Sequence, residues 1–315
     1  MDALSALLDG PHARGAFVLR VILSPPWSMR IEDEAALSVV ALVSGSACVV
    51  PAASASAPVW LGAGDVLLAR GPDPYIIGDD PETQPQLVIH PGQRCTTLTG
   101  MDLSETMGLG VRTWGNSLDG PTTILLGAYG APGAIGQRIL AALPPLVALS
   151  EASWDDHLIP MLRDEIVRDA PGQEAVLDRL IDLVLMSVLR AWFAREDAGT
   201  PAWYRAQADP VVGRALRLLH ASPARSWTIE KLAAETYVSR ALLARRFKDL
   251  VGEPPMTYLT KWRLGLAIDL LQTPGTTIAD IADEVGYSSP FALSTAFKRV
   301  HGVSPKQYRM QVANG

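Results

Sequence analysis

Cysteine is nearly absent from the chain: Cys48 and Cys95 are the two in 315 residues. Two thiols build no disulfide framework, so stability must come from buried apolar area, and a reducing, cytoplasmic setting is the expectation. Histidine is also scarce. Of five, only His12 and His90 precede residue 135. The clustered His and carboxylate ligands of a metal enzyme are not visible, so no catalytic residue, metal or cofactor is expected. Long apolar runs are missing as well. The most apolar helical stretch, Ile181 to Phe193, is interrupted by Arg190 and lies beside Asp178, Arg179 and Asp182. It is too short and too charged to span a bilayer. The start, MDALSALLDGPHARG, has no basic n-region and no apolar h-region, so no signal peptide and no membrane partner are expected.

What is present is 48% apolar residues, enough for two or three domains to bury a core each. The net charge of −6 hides an asymmetry. Residues 209–315 carry +5, whereas residues 1–208 carry −11. A reversal of sign between two parts of one chain suggests that the basic part meets an anion.

Residues 15 to about 130 read as β. Short apolar runs such as AFVLRVIL, LSVVALVSG and GDVLLARG alternate with Gly, Pro, Ser and Asp clusters, the pattern of a sandwich or barrel. PAASASAP (Pro51 to Pro58) reads as a hairpin loop, and SETMGLGVRTWGNSLDGPTT as a mobile surface loop. From Ile135 the period becomes helical. Val176, Leu177, Leu180, Ile181, Val184, Leu185, Val188, Leu189 and Trp192 form one stripe along a helix of about six turns. A second helix, about Trp154 to Arg168, precedes it, with Pro171-Gly172 between. The pair can pack on the β domain or face a second subunit; dimerisation is the favoured expectation. The expected division is 1–134 sensor, 135–197 helical dimerisation region, 198–209 linker and 210–315 all-helical.

The last hundred residues repeat. Phe247-Lys248, Gly252, Pro255 and Tyr258 recur fifty residues later as Phe297-Lys298, Gly302, Pro305 and Tyr308. Thr228-Ile229 and Leu232-Ala233 recur at forty-nine, so the second copy holds one extra residue near its turn. Each copy reads as helix-turn-helix. Thr228 caps the first helix of copy one and Ser239 its second; Ser288 or Ser289 caps the second helix of copy two. Gly286 suits the positive φ that ends a helix, while Tyr237 occupies the same place in copy one. Leu259, Trp262, Leu266, Ala267, Leu270 and Leu271 give the helix between the copies an apolar face, so it can hold both at a fixed separation.

The outward residues point to double-stranded DNA. In copy one they are Ser239, Arg240, Arg245, Arg246 and Lys248; in copy two, Ser288, Ser289, Ser294, Thr295, Lys298 and Arg299. Basic and hydroxyl side chains position phosphates, and Arg pairs with guanine edges. Two linked units can enter successive major-groove turns.

On these motifs the segment from Asp209 to Arg309 resembles the DNA-binding domain of AraC/XylS-type transcriptional regulators, above all in Gly286-Tyr287, Phe297-Lys298, Gly302, Pro305 and Tyr308-Arg309. Phe291 and Thr295 depart from the pattern, standing where that family commonly has a small polar and a basic residue. Copy one, with Arg240, Arg245 and Arg246, is therefore expected to carry more of the specificity. VWLGAGDVLLARGPDPYII resembles a cupin strand pair, and PPWSMR and ILAALPPLVAL match a subgroup of these regulators. The resemblance implies an α+β multidomain chain, with an N-terminal cupin-like β-barrel followed by a helical dimerisation region and a C-terminal tandem helix-turn-helix. It also implies a small-molecule effector in the barrel, a homodimer, and RNA polymerase as a partner if the protein activates. Trp27, Arg30, Tyr75, His90 and Trp114 are the candidates for the effector site. A cupin-type metal-dependent oxygenase or isomerase with a helical appendage is the rival reading. Tyr75 stands where such cupins commonly place a histidine, and His90 and Cys95 are the available donors.

Overall fold

The computed structural model describes residues 17–51, 57–110, 112–130, 133–154, 157–168, 170–195 and 199–313. Among them two compact units separate: one of residues 17–130 and 143–195, the other of 133–142 and 199–313.

The first unit holds thirteen strands: β1 (Phe17–Leu23), β2 (Ser28–Ile31), β3 (Leu37–Ser44), β4 (Ser46–Pro51), β5 (Val59–Gly62), β6 (Val66–Arg70), β7 (Tyr75–Gly78), β8 (Leu87–Ile89), β9 (Cys95–Thr97), β10 (Gly108–Gly110), β11 (Thr113–Gly115), β12 (Thr122–Tyr129) and β13 (Leu146–Leu149). They form two sheets, ordered β10-β11-β1-β12-β3-β6-β13 and β5-β4-β7-β2-β8-β9. The expected barrel is therefore not closed; two open sheets face one another. Between them lies a core that includes Trp27, Val40, Leu42, Leu61, Leu67 and Ile77. β3 reads as a near-continuous apolar run because both of its faces are covered.

Its outer cover comes from α2 (Leu158–Ile166) and α3 (Gln173–Phe193). The stripe predicted for the long helix packs here: a Cβ on Gly127 of β12 would sit 2.6 Å from Ile181 Cγ1, so only glycine lets the helix approach this closely. Val176 is the exception, half-exposed at the outer face. Met161, Val176 and Leu183 stay solvent-facing.

Two local expectations change. The predicted mobile loop contains β10 and β11. β11 pairs in parallel with β1 through Arg20–Thr113, Val21–Trp114 and Ile22–Gly115, so a sheet edge captures a stretch that its glycines made look irregular. The helix expected from Trp154 begins at Leu158, and Trp154 instead donates its indole N–H to the Gly64 carbonyl. Most of the Pro51 to Pro58 hairpin loop lies outside the described residues, though its flanks pair in register, Ser46 with Gly62 and Val49 with Val59.

The second unit is helical: α1 (Ala134–Leu140), α4 (Ala202–Arg205), α5 (Pro210–Ala221), α6 (Ile229–Glu235), α7 (Arg240–Val251), α8 (Pro255–Leu271), α9 (Ile278–Val285), α10 (Pro290–His301) and α11 (Pro305–Ala313). The stretch read as a linker thus carries α4 and one 3-10 turn, with Ala206 buried. Two apolar cores form. One gathers Leu216, Trp227, Leu232, Leu243 and Phe247; the other gathers Ile281, Val285, Leu293 and Phe297. Helix α8 belongs to both, giving Tyr258 and Leu259 to the first and Leu264, Ala267 and Leu271 to the second. One buried pair ties it to α5: His220 Nε2 lies 2.8 Å from Tyr258 Oη, while the His220 ring stacks on Trp262 at 4.0 Å.

Candidate nucleic-acid interface and ligand cavity

Each helix-turn-helix is built by capping. In the first, the Thr228 hydroxyl accepts from Lys231 N–H, opening α6. Tyr237 then takes φ +58°, Val238 N–H donates to the Ala233 carbonyl, and the Ser239 hydroxyl accepts from Leu242 N–H to open α7. In the second, Thr277 and Asp280 form a reciprocal capping box on α9. Gly286 takes φ +82°, Tyr287 N–H donates to the Ala282 carbonyl, and the Ser289 hydroxyl accepts from Ala292 N–H. Ser289 is thus the cap, and Ser288 is the extra residue of the second copy. Gly286 is required twice over: its φ is left-handed, and a Cβ would meet Ala224 backbone atoms at 2.5 Å.

The buried residues fix which way α7 and α10 face. Leu243 and Phe247 point α7 inward; Leu293 and Phe297 do the same for α10. At helical spacing the opposite row is Ala241, Arg245 and Lys248 on α7, and Phe291, Thr295 and Lys298 on α10. All six are exposed, Phe291 by 80%.

The predicted cations are not equivalent. Arg246 places Nη2 2.6 Å and Nε 2.8 Å from Asp209 Oδ2, a carboxylate side chain only 12% exposed. Asp209 also caps α5 through Val211 and Val212 N–H. Burial alone would raise its pKa; the bonds from Arg246 and these backbone groups outweigh that and hold it below the ordinary value. Arg246 is therefore a tie between α7 and the start of α5. Arg240 lies 2.8 Å from Glu230, but both side chains are more than half exposed, at 67% and 55%. Such pairs contribute about 0–1 kcal/mol and exchange readily for another anion. Arg245, Lys248, Lys298 and Arg299 have no ion pair among the described residues. Ser239 and Ser289 spend their hydroxyls on capping, Ser294 is half-buried, and Ser288 and Thr295 are exposed. Sequence reasoning missed Asp209: Asp-Pro is a legible helix start, but its partner lies thirty-seven residues away.

In the β unit a cavity of about 190 Å³ opens between the sheets. Leu19, Val21, Trp114 and Leu126 line it from β1, β11 and β12; Met29, Ile31, Ile89 and Cys95 line it from β2, β8 and β9. Asp33, Gln93 and Ser104 supply the polar atoms. Burial raises the Asp33 acid above its ordinary pKa, against the Ala35 N–H bond that lowers it. Burial pushes the Cys95 thiol up to about 11, so it stays protonated at neutral pH. Among the described residues no group of three His, Cys, Asp or Glu is placed to hold a metal ion.

Comparison with known families now decides the assignment. A cupin family profile matches residues 2–194 and a helix-turn-helix domain profile matches 232–311. A relative from Streptomyces lividans, described as an AraC-like transcription regulator, is 32% identical across 98% of this chain and 98% of its own length. This chain belongs to the AraC-type transcription regulators. Similarity also extends over 99% of the chain, at 28% identity, to the HTH-type transcriptional regulator AlkR of Acinetobacter baylyi, all of whose length is matched. Among solved structures, the DNA-binding domain of AdpA in complex with a target DNA matches 33% of this chain and 93% of its own length, at 33% identity and a TM-score of 0.32.

As an AraC-type regulator the protein is a DNA-binding transcription factor, not an enzyme, and the oxygenase or isomerase reading falls. Of the five residues predicted for the effector site, Trp114 alone lines the cavity. Trp27 and Tyr75 are buried in the core between the sheets. Arg30 turns outward to Glu32 at 2.6 Å, and His90 Nε2 lies 2.8 Å from Thr96 Oγ1. No helix among the described residues is long and apolar enough to cross a membrane.

Proposed function

We propose that this AraC-type regulator sets α7 and α10 into two adjacent major-groove segments, under the control of a small molecule held between its β-sheets. The carrying observation is the paired outward rows, Ala241-Arg245-Lys248 and Phe291-Thr295-Lys298, presented by two capped helices whose cores share α8. Arg245 is the base reader of the first module, because it is exposed, unpaired and central in its row; Arg pairs bidentately with guanine O6 and N7. Arg240, Lys248, Lys298 and Arg299 neutralise phosphates, with the Ser288 and Thr295 hydroxyls beside them. Phe291 meets a thymine methyl. The exposed Met161, Val176 and Leu183 support a homodimer through α2 and α3, and the bound dimer contacts RNA polymerase if it activates.

A gel shift with genomic fragments selected by the protein tests the reading. Binding should weaken steeply as salt rises, because each neutralised phosphate releases counterions. Arg245→Ala should lower affinity without changing the circular dichroism spectrum. Unchanged affinity in a folded variant would remove Arg245 from the interface. Leu183→Glu should shift sedimentation from dimer to monomer.

A further inference from the structure

The chemistry of the cavity limits what can fill it. Eight of its eleven described lining residues are apolar. A cavity of about 150 Å³ lined by apolar side chains accommodates benzene, so about 190 Å³ admits one ring with a short substituent. Trp114 offers a flat π face for that ring.

The polar lining separates ligand classes by charge. Among the described residues no Lys, Arg or His lines the cavity. An anion entering it would lose its hydration with no cation to meet it. A polyol would bring several hydroxyls to three polar side chains, and each unpaired one costs about 1–3 kcal/mol. Cys95 is a protonated, apolar wall element, so an electrophile would find no thiolate there. What remains is a carboxyl acceptor, Asp33, held in place by Ala35 N–H at 3.1 Å, at the edge of an apolar chamber.

We propose that the effector of this regulator is a compact, mainly hydrocarbon molecule, of about one aromatic ring, whose single hydrogen-bond donor, a hydroxyl or an ammonium, meets Asp33, and that carries no negative charge. This rests on the reading of the cavity as the effector site. The ring stacks on Trp114 between the two sheets. Its apolar edge displaces no ordered polar partner on Leu19, Val21 or Leu126, and its donor ends at the carboxyl of Asp33.

Isothermal titration of the full chain with four probes tests it: benzylamine, benzyl alcohol, benzoate and glucose. The amine or the alcohol should bind at least about tenfold more tightly than benzoate, with glucose weakest. Asp33→Asn should erase most of that preference, and Leu126→Phe should remove binding by filling the chamber, with thermal melts confirming that both variants fold. Preference for benzoate or glucose, still abolished by Leu126→Phe, would overturn the ligand class while leaving the cavity as the effector site. Binding that Leu126→Phe leaves unchanged, or no binding by any probe, would overturn the cavity assignment itself.

Discussion

At the turn of the first helix-turn-helix stands Tyr237, and at the same place in the second stands Gly286. Both take a left-handed φ, yet their surroundings differ. Tyr237 is 82% exposed, its ring beneath the Arg214 guanidinium at 5.0 Å. Gly286 lies against the Ala224 backbone, where no Cβ fits. The second turn is closed in by its own unit; the first is open. A second contrast concerns charge. The first module has more arginines, but Arg246 is tied to Asp209, so its outward cations among the described residues are Arg245, Lys248 and the exposed, weakly paired Arg240. The second has fewer charges, but among the described residues Lys298 and Arg299 have no ion pair, and it adds an exposed aromatic, Phe291. Counting basic residues overstates the difference between the modules, because the Arg246 charge is already met by Asp209.

The largest expected effect breaks the turn comparison. Gly286→Val combines left-handed strain with a backbone clash, and should cost about 2–4 kcal/mol in urea denaturation. Tyr237→Gly relieves strain at an open site and should stay within about 1 kcal/mol of the parent. Equal effects would mean that the two turns are equally confined.

Next comes the reading row. Arg245→Ala should weaken operator binding by about 1–3 kcal/mol, measured by fluorescence anisotropy at fixed salt, whereas Thr295→Ala, at the matching place in α10, should cost less than about 1 kcal/mol.

A smaller effect concerns the tie. Asp209→Ala removes both a helix cap and the Arg246 partner, and should destabilise the folded chain by about 1–2 kcal/mol at pH 7. Because the folded pKa of Asp209 is lowered, its contribution is present above the ordinary carboxylate value and is lost as pH falls through the folded one. Parent and variant should therefore converge in acid. A gap that persists at low pH would mean that the carboxylate charge is not what stabilises. The smallest effect sharpens the similarity: Lys248→Ala and Lys298→Ala should each reduce the slope of log affinity against log salt by about one.

Much of this was legible in sequence. The repeat offset of fifty against forty-nine located the extra residue, and Thr228 and Ser239 were readable as caps because capping is local. The stripe from Leu177 to Trp192 was readable as a helix because period alone marks it. What stayed hidden depends on distant partners. The Arg246–Asp209 tie joins residues thirty-seven apart, and β11 joins β1 across more than ninety. The cavity residues were hidden for another reason: Leu19, Val21 and Met29 look like any core strand residues, and only the spreading of two sheets leaves space beside them. Aromatic and charged residues were the natural candidates, yet Trp27 and Tyr75 went to the core and Arg30 to the surface. Asp33, which lines the cavity, sits among acidic neighbours that give it no distinguishing pattern.

On the proposed function the two modules read DNA unequally, with Arg245 carrying base discrimination in the first. Selection of bound duplexes from a random-sequence pool, by the parent and by Arg245→Ala at one fixed salt concentration, tests it most directly. The parent should enrich two half-sites about one helical turn apart, and the variant should lose base preference in one half-site while keeping the other. Identical motifs from both proteins, or equal loss in both half-sites by a folded variant, would contradict it.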